Sequence, residues 1–253
     1  MLIDFHAHQP SLRGVWGLEL FAASDYLAVM DRYGIDSSVI LPLDGLVFDN
    51  HVTNDEVASW CAASSGRLVP FCTVNPRESG AASEIERCVT ELDMKGIKFH
   101  PWLQGFHPNE PCMVPVCEVA AALRLPMLFH DGTPPYSTPL QIGELAGRFP
   151  DLQVVLGHGG LYDMWPEAIA AARRYPNVHV CMTSLHPQAM RRIIAEVPID
   201  QVLFGSDGGL AAIDRQDYVA DRWRMFHDLE LDDAVVRAIC DINPRALLER
   251  VTL

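Results

Sequence analysis

The sequence is poor in basic residues and has no long hydrophobic run. Its 253 residues include 19 Lys and Arg against 33 Asp and Glu, a formal charge of −14 at pH 7. This charge would repel nucleic-acid phosphates and anionic lipid headgroups, and the paired arginines at 173–174 and 191–192 fall on predicted helices rather than in a basic stripe. No stretch reaches the roughly 20 consecutive apolar residues that a membrane-spanning helix needs. We therefore expect neither a nucleic-acid nor a membrane partner.

The sequence also shows no closely spaced cysteine pair of metal-binding type and no pattern typical of a targeting segment. The seven cysteines form no C-x-x-C pair, and the closest two, Cys112 and Cys117, have the wrong spacing for a zinc knuckle. Scattered cysteines in an odd number are typical of a reducing compartment. The first ten residues carry an aspartate and two histidines where a signal peptide would need an apolar run. We therefore expect a cytoplasmic protein.

Short apolar, β-branched runs alternate with amphipathic stretches of helical period along the chain. Eight such rounds predict an α/β protein with parallel strands, a single (β/α)₈ TIM barrel. An open doubly wound sheet usually has fewer strands, and the first strand-to-helix turn lacks the glycine-rich dinucleotide fingerprint. No linker or composition break divides the chain, so one domain over residues 1–253 is the simplest interpretation. The predicted strands are 2–6, 38–42, 68–72, 96–100, 126–130, 152–156, 178–182 and 201–205.

The stretches between the strands predict helices, and the tail predicts a C-terminal helical extension. Residues 232–253 form this extension, with Pro244 as a first-turn residue. The longest irregular stretch, 101–113, follows the fourth strand, on the face where the binding loops of a barrel gather. The helix candidates before the tail are 19–33, 54–64, 79–92, 114–123, 140–149 and 166–175.

Chemically functional side chains recur at the carboxyl ends of the predicted strands. Because side chains alternate across a strand, we expect His6 and His8 to project to one face and Phe5 and Ala7 to the other. In a barrel, the polar set would converge at one mouth of the lumen, while the apolar set packs on the outer helices. The recurring residues are His6, His8, Lys98, His100, His130, His158 and Asp207.

Several imidazoles and a carboxylate in a confined space need either a hydrogen-bond network or a cation, because unpaired buried polar groups are costly. Histidine nitrogens with one carboxylate oxygen suit Zn²⁺, and Mn²⁺, Fe²⁺ or Co²⁺ would also fit. A divalent metal at the mouth of the barrel is therefore predicted. A barrel that only stores the metal or binds a ligand is the non-enzymatic alternative.

Six segments of the sequence, taken together in their order and spacing, resemble the amidohydrolase superfamily. The closer similarity is to amidohydrolase-related family 2, the metal-dependent hydrolases that are similar to aminocarboxymuconate-semialdehyde decarboxylase. The resemblance runs nearly end to end, although this chain is shorter than the decarboxylases, which have larger inserted loops. The segments are Asp4–His8, Gly96–Pro101, His130, Gly157–Gly160, Gly205–Asp207 and Asn243–Leu248.

The resemblance implies a role for each strand-end residue. A single metal would be bound by His6, His8, His130 and Asp207. His158 would be the acid–base histidine that faces the substrate. In hydrolysis, Asp207, His158 or both would move the proton. Lys98 has three readings: a carbamylated lysine that bridges two metals, a partner for a substrate carboxylate, or a side chain turned away from the metal.

The function implied is hydrolysis of a small carboxylic ester, lactone or amide by a metal-activated water. Non-oxidative decarboxylation of an aromatic or unsaturated carboxylic acid is the alternative, and a phosphoesterase is disfavoured because no Arg or Lys cluster marks a phosphate clamp. The partner expected is a small-molecule substrate, and a homodimer is expected only because dimers are common. Candidate substrate-binding residues are Arg13, Lys98, His100, Trp102, Gln104, Phe106 and His186.

Overall fold

In the part of the chain that the structure describes, eight short parallel strands alternate with helices. A computed structural model describes residues 1–11, 13, 21–210 and 217–251, with only the backbone described at 217 and 218. All eight predicted strands are confirmed, in the predicted order. They are β1 (Ile3–His8), β2 (Ser37–Leu41), β3 (Leu68–Pro70), β4 (Ile97–Phe99), β5 (Pro126–Phe129), β6 (Gln153–Leu156), β7 (Val178–Cys181) and β8 (Val202–Leu203).

The helices follow the predicted pattern, with differences at their ends. The second helix begins at Asn50 rather than at residue 54, because the Asp49 carboxylate accepts a hydrogen bond from Val52 N at 3.2 Å and caps it. The stretch 101–113, predicted to be irregular, contains a short helix. Residues 19 and 20 of the first predicted helix, and residues 252 and 253 of the tail, lie outside the described part. The helices are α1 (Ala23–Tyr33), α2 (Asn50–Ala62), α3 (Ala81–Thr90), α4 (Pro101–Gln104), α5 (Met113–Ala122), α6 (Pro139–Arg148), α7 (Trp165–Arg174), α8 (Pro187–Glu196), α9 (Asp217–His227), α10 (Asp233–Arg237) and α11 (Asn243–Leu248).

The strands form two parallel ladders that join edge to edge. One ladder has the order β1-β2-β3 and the other runs from β4 to β8. At the β3–β4 edge, Lys98 N donates to Cys72 O at 2.7 Å. At the β8–β1 edge, Asp207 N donates to His6 O at 2.7 Å and His8 N donates to Gly208 O at 2.7 Å. These bonds complete the ring, so the fold is the predicted (β/α)₈ barrel.

The described side chains form two separate apolar clusters, one between strands and helices and one inside the ring of strands. The expectation that Phe5 faces the outer helices is wrong, because the register between β1 and β2 shifts between Asp4 and Ala7. This irregularity breaks the simple alternation and turns Phe5 into the lumen. The inner cluster contains Phe5, Val39, Leu41, Phe71, Leu128, Val155, Cys181, Leu203 and Leu247.

The C-terminal extension covers the amino-terminal end of the barrel. Asn243 Nδ2 donates to Ile199 O at 2.7 Å and to Val202 O at 2.8 Å, just where β8 begins. Leu247, on the same short helix, packs into the inner cluster. This end of the barrel is thereby closed by packed side chains. Among the described residues, no helix is both long and apolar enough to cross a bilayer.

His179 on β7 is buried on the lumen side, two residues before Cys181. Its Nε2 lies 2.8 Å from Gln153 Oε1, and burial lowers the pKa of the imidazole to about 4 from a usual value of 6.5. Between these two pH values the unfolded chain binds a proton at this residue that the folded chain does not bind. The stability that His179 contributes is therefore complete above pH 6.5 and is lost as the pH falls towards 4.

We expect the free energy of unfolding of the wild type to fall by about 3 kcal/mol more than that of His179→Gln between pH 6.5 and pH 4. Urea unfolding of both proteins at a series of pH values measures this difference, and the other titrating groups cancel in the comparison. Parallel pH profiles for the two proteins would contradict the assignment.

Candidate metal centre

His6 on β1 is fully buried, and one of its ring nitrogens is already used. His6 Nδ1 lies 2.9 Å from Gly157 O, so this nitrogen carries the proton and donates it to the carbonyl. The lone pair is then on Nε2, which lies 3.4 Å from Asp207 Oδ1. Hydrogen bonds of this kind to the far nitrogen are what orient histidine ligands in metal sites.

His8 and Asp207 complete a convergent set of three donors. His8 Nε2 lies 3.1 Å from the same Asp207 oxygen. Among the described residues, one ligand atom each from His6, His8 and Asp207 all fall within 4.8 Å of one another. Two imidazole nitrogens and one carboxylate oxygen at this spacing suit a divalent ion such as Zn²⁺. The donor set therefore fits the predicted metal.

Electrostatics keep these groups in the protonation states that a metal needs. Burial lowers the pKa of His6 and of His8, and the nearby Lys98 ammonium adds to the effect. Desolvation raises the pKa of Asp207, but the hydrogen bond to His8 and the surrounding imidazoles outweigh it and hold the pKa below its usual value. Neutral imidazoles and an ionised carboxylate are the forms that coordinate metals.

Asp4 anchors the loop that carries Asp207. Its carboxylate accepts hydrogen bonds from Ser206 N at 2.9 Å, from Ser206 Oγ at 2.5 Å and from His6 N at 3.2 Å. Asp4 is fully buried, and desolvation raises its pKa to about 6 despite these bonds. The side chain therefore ties β1 to the end of β8. Asp207 itself lies at φ +67°, in the left-handed region that few non-glycine residues adopt.

A cavity of about 130 Å³ opens beside the three donors. One wall is apolar and comes from leucines in the loops after β2 and β8. The polar wall is formed by imidazoles and a lysine, and Asp207 is the only carboxylate among the described lining residues. The lining residues are His8, Leu43, Leu46, Lys98, His100, His130, His158, Asp207 and Leu210.

The imidazoles of the polar wall pack against one another. The His100 and His130 rings stack with centroids 3.8 Å apart and an interplanar angle of 9°. His158 touches this stack, with its ring centroid 4.4 Å from that of His130 and 4.8 Å from that of His6. His130, the fourth predicted ligand, thus lines the cavity but lies outside the 4.8 Å donor group. Desolvation lowers the pKa of His158 to about 3, although Asp207 opposes this.

Lys98 projects into the lumen beside the predicted metal ligands. Its side chain is buried, and Nζ lies 3.4 Å from His6 Nε2. Desolvation lowers the pKa of this ammonium to about 8, while Asp207 and Asp131 raise it. Of the three readings of Lys98, this placement excludes a side chain turned away from the metal ligands.

Two predicted substrate-binding residues lie away from the cavity because other contacts hold them. The Arg13 guanidinium pairs with Asp44 at 3.1 Å and with Glu56 at 2.7 Å, and Arg13 is not among the described residues that line the cavity. His186 is exposed, and its Nδ1 accepts from Ala189 N at 3.2 Å as the N-terminal cap of α8. That a residue lies in a loop after a strand does not indicate whether its side chain forms an ion pair or caps a helix instead of binding a substrate.

The loop after β4 is divided between the rim of the cavity and the core. Trp102 is 53% exposed at the rim, with its ring centroid 5.8 Å from that of His100. Gln104 is buried and structural, because its Oε1 accepts from His100 N at 2.8 Å. Phe106 is 1% exposed and packs edge-on against Phe99 in the outer cluster, with ring centroids 5.7 Å apart. His100 therefore lines the cavity, and Trp102 lies beside it without being among the lining residues.

Two kinds of site residue escape sequence reasoning. The apolar wall comes from loop leucines, which no sequence pattern separates from core leucines. Asp131, buried directly after His130, binds the loop that carries His158. The sequence signal that could have identified Asp131 is its position at the carboxyl end of a predicted strand, next to a predicted metal ligand.

Solved structures of enzymes share this architecture over nearly the whole chain. 2,6-Dihydroxybenzoate decarboxylase from Rhizobium is 20% identical, with 98% of each chain covered and a TM-score of 0.75. 5-Carboxyvanillate decarboxylase from Sphingomonas paucimobilis is 18% identical, with 99% of each chain covered and a TM-score of 0.76. A probable 2-pyrone-4,6-dicarboxylic acid hydrolase from Acinetobacter baumannii is 14% identical, with 98% of this chain and 99% of that chain covered and a TM-score of 0.74. At these identities the likeness establishes the fold.

The family follows from the sequence match. No curated protein matches the chain significantly. The family model described as amidohydrolase matches residues 3–250, which include all of the strand-end residues discussed above. The chain therefore belongs to the amidohydrolase family of enzymes.

Proposed function

We propose that this chain is a metal-dependent hydrolase that acts on a small carboxylic ester, lactone or amide. The observation that carries the proposal is the convergence of His6, His8 and Asp207 within 4.8 Å beside a cavity of about 130 Å³. A cavity of this size suits a small substrate, and the probable pyrone-dicarboxylic acid hydrolase among the similar structures is named for such a reaction.

One divalent ion, with Zn²⁺ as the first choice, would be held by His6, His8 and Asp207, with His130 as the further predicted ligand. Mn²⁺, Fe²⁺ and Co²⁺ are accepted by the same donors. When bound, such an ion lowers the pKa of water towards neutrality and polarises a carbonyl group.

We assign the proton transfer to His158 and Asp207. The His158 ring lies against His6 and His130 and lines the cavity, so a proton taken from water by an imidazole nitrogen stays within the site. Returning this proton to the leaving group completes general acid–base catalysis.

Lys98 and the leucine wall supply substrate binding. The ammonium of Lys98 offers a partner for a substrate carboxylate, with His100 and Trp102 beside it at the mouth. Leu43, Leu46 and Leu210 would exclude water from the apolar part of the substrate.

Decarboxylation of an aromatic or unsaturated acid is the second candidate. The observation in its favour is that the lining combines three leucines with imidazoles and a lysine, side chains that can pack against an apolar ring and pair with its carboxylate. Two of the similar structures are named as decarboxylases of substituted benzoates. In this reaction His158 would deliver a proton to carbon instead of taking one from water.

A substrate panel in H₂¹⁸O separates the two candidates. The panel contains p-nitrophenyl esters, γ- and δ-lactones, N-acyl amides and hydroxybenzoates. Hydrolysis incorporates solvent ¹⁸O into the carboxylate product, whereas decarboxylation releases CO₂ and does not add solvent oxygen to the remaining product. CO₂ release alone would overturn the hydrolase proposal in favour of the decarboxylase.

We expect Asp207→Asn to lose zinc. The amide keeps the shape of the side chain but removes the anionic donor. The affinity for zinc should therefore fall by about 100-fold or more, which exceeds the loss typical of residues that only support ligands. Elemental analysis after desalting measures the metal, with His227→Asn on the exposed part of α9 as the histidine-to-amide control. Zinc stoichiometry equal to wild type in Asp207→Asn would remove Asp207 from the ligand set.

We expect His158→Asn to keep its zinc and lose turnover. Removal of a general acid–base group should lower kcat by about 10²- to 10⁴-fold. The assay uses the best substrate of the panel, and zinc content is measured on the same preparations. The His227→Asn protein should match wild type in both measurements. Full activity of His158→Asn would assign the proton transfer to Asp207 alone.

A further inference from the structure

The loop that carries His158 is a tight turn of glycines between β6 and α7. Gly159 and Gly160 lie at φ +54° and +94°. A Cβ on Gly160 would fall 2.2 Å from the carbonyl carbon of Met164, so the backbone of this turn is packed closely. Such a turn needs fixed hydrogen-bond acceptors to hold a single conformation.

Asp131 provides two of these acceptors. Its Oδ1 accepts from His158 N at 2.7 Å, and its Oδ2 accepts from Gly160 N at 2.5 Å. Both carboxylate oxygens are thus used on the backbone of one turn, on either side of the Gly159 peptide. Asp131 is 0% exposed. Burial of a carboxylate costs free energy unless hydrogen bonds such as these compensate it.

Asp131 is itself held firmly. Gly132 N donates to Ser137 O at 2.9 Å, and Ser137 Oγ donates to His130 O at 2.9 Å, so the residues on both sides are fixed. A Cβ on Gly132 would lie 2.8 Å from the carbonyl carbon of Gly160, which leaves no space between the two turns. The end of β5 therefore acts as a rigid support for the turn after β6.

The imidazole of His158 has no comparable support of its own. Its Nδ1 is buried and has no hydrogen-bond partner among the described residues. Ring packing against His6 and His130 limits its tilt, but its distance from the cavity is set by the backbone at residue 158. The backbone, in turn, is fixed at this residue by Asp131.

We propose that Asp131 is a positioning residue, which acts on the reaction through His158 by clamping the amides of His158 and Gly160. The inference rests on the proposed role of His158 in proton transfer. Asp131 does not touch the cavity and is distinct from the metal ligands.

The first test is the kinetics of Asp131→Asn, alone and combined with His158→Asn. The amide has the shape of the carboxylate but can accept only at its oxygen, so its NH₂ group would face one of the two backbone donors and displace the turn. Misplacement of a catalytic group by a fraction of an ångström to 1 Å costs about 10- to 100-fold in rate. We expect kcat of Asp131→Asn on the best panel substrate to fall by this factor, with KM changed by less than about twofold and zinc retained.

The double variant separates positioning from general damage. If Asp131 acts through His158, Asp131→Asn lowers kcat no further once His158 is Asn. Asp4→Asn is the matched control, because Asp4 is another fully buried carboxylate on backbone amides but supports the β8 loop. Its effect should persist in the His158→Asn background. Multiplicative losses for Asp131→Asn and His158→Asn would overturn the proposal.

A second readout does not depend on turnover. In protein labelled with [¹³Cε1]histidine, the His158 resonance is identified by its loss in His158→Asn. We expect this resonance to move or broaden in Asp131→Asn and to stay in place in Asp4→Asn. An unchanged His158 resonance in folded Asp131→Asn would overturn the proposal, and this test works even if no panel substrate is turned over. Absence of turnover in the wild type would count against the hydrolase function alone. Asp131→Ser, with a single hydroxyl acceptor, replaces the Asn variant if that protein does not fold.

Discussion

The hydrogen bond from Asp207 N to His6 O, 2.7 Å long, is the contact on which the site depends. It lies at the edge where β8 meets β1, so the bond that completes the barrel also sets the distance between the two ends of the chain. His8 and Asp207 are 199 residues apart in sequence, yet their side chains are 3.1 Å apart because this edge is closed. Loss of closure would separate the donors, so the geometry of the candidate metal site depends on the closed fold.

Burial of charge is the main cost of this arrangement, and the structure meets it in two ways. The imidazoles and Asp207 converge on a point where a divalent ion would compensate them together. Asp4 and Asp131 are instead satisfied by hydroxyl and backbone donors, and each holds a loop that carries a functional residue. Asp207, which is proposed to have a chemical role, therefore differs from Asp4 and Asp131 in its hydrogen-bond partners.

Much of the fold could be predicted because hydrophobic period and turn residues act locally. The eight strands and the helices between them follow from that pattern, and the exceptions have local physical causes. Phe5 faces the lumen because of an irregularity in β1 that no pattern records. The early start of α2 depends on a single cap at Asp49. Arg13 pairs with two acids from other segments, and its position in the sequence does not predict these partners.

The order of histidines, lysine and aspartate along the chain was enough to indicate the family. It also indicated the mouth of the barrel at which these residues meet, because parallel strands have their carboxyl ends on one side. Distances could come only from the folded chain. They separate His6, His8 and Asp207 from His130, bring Lys98 to 3.4 Å from His6, and place leucines in the lining of the cavity. The reason is that strand spacing and alternation depend on local backbone geometry, whereas convergence depends on how the ring closes and how each loop packs.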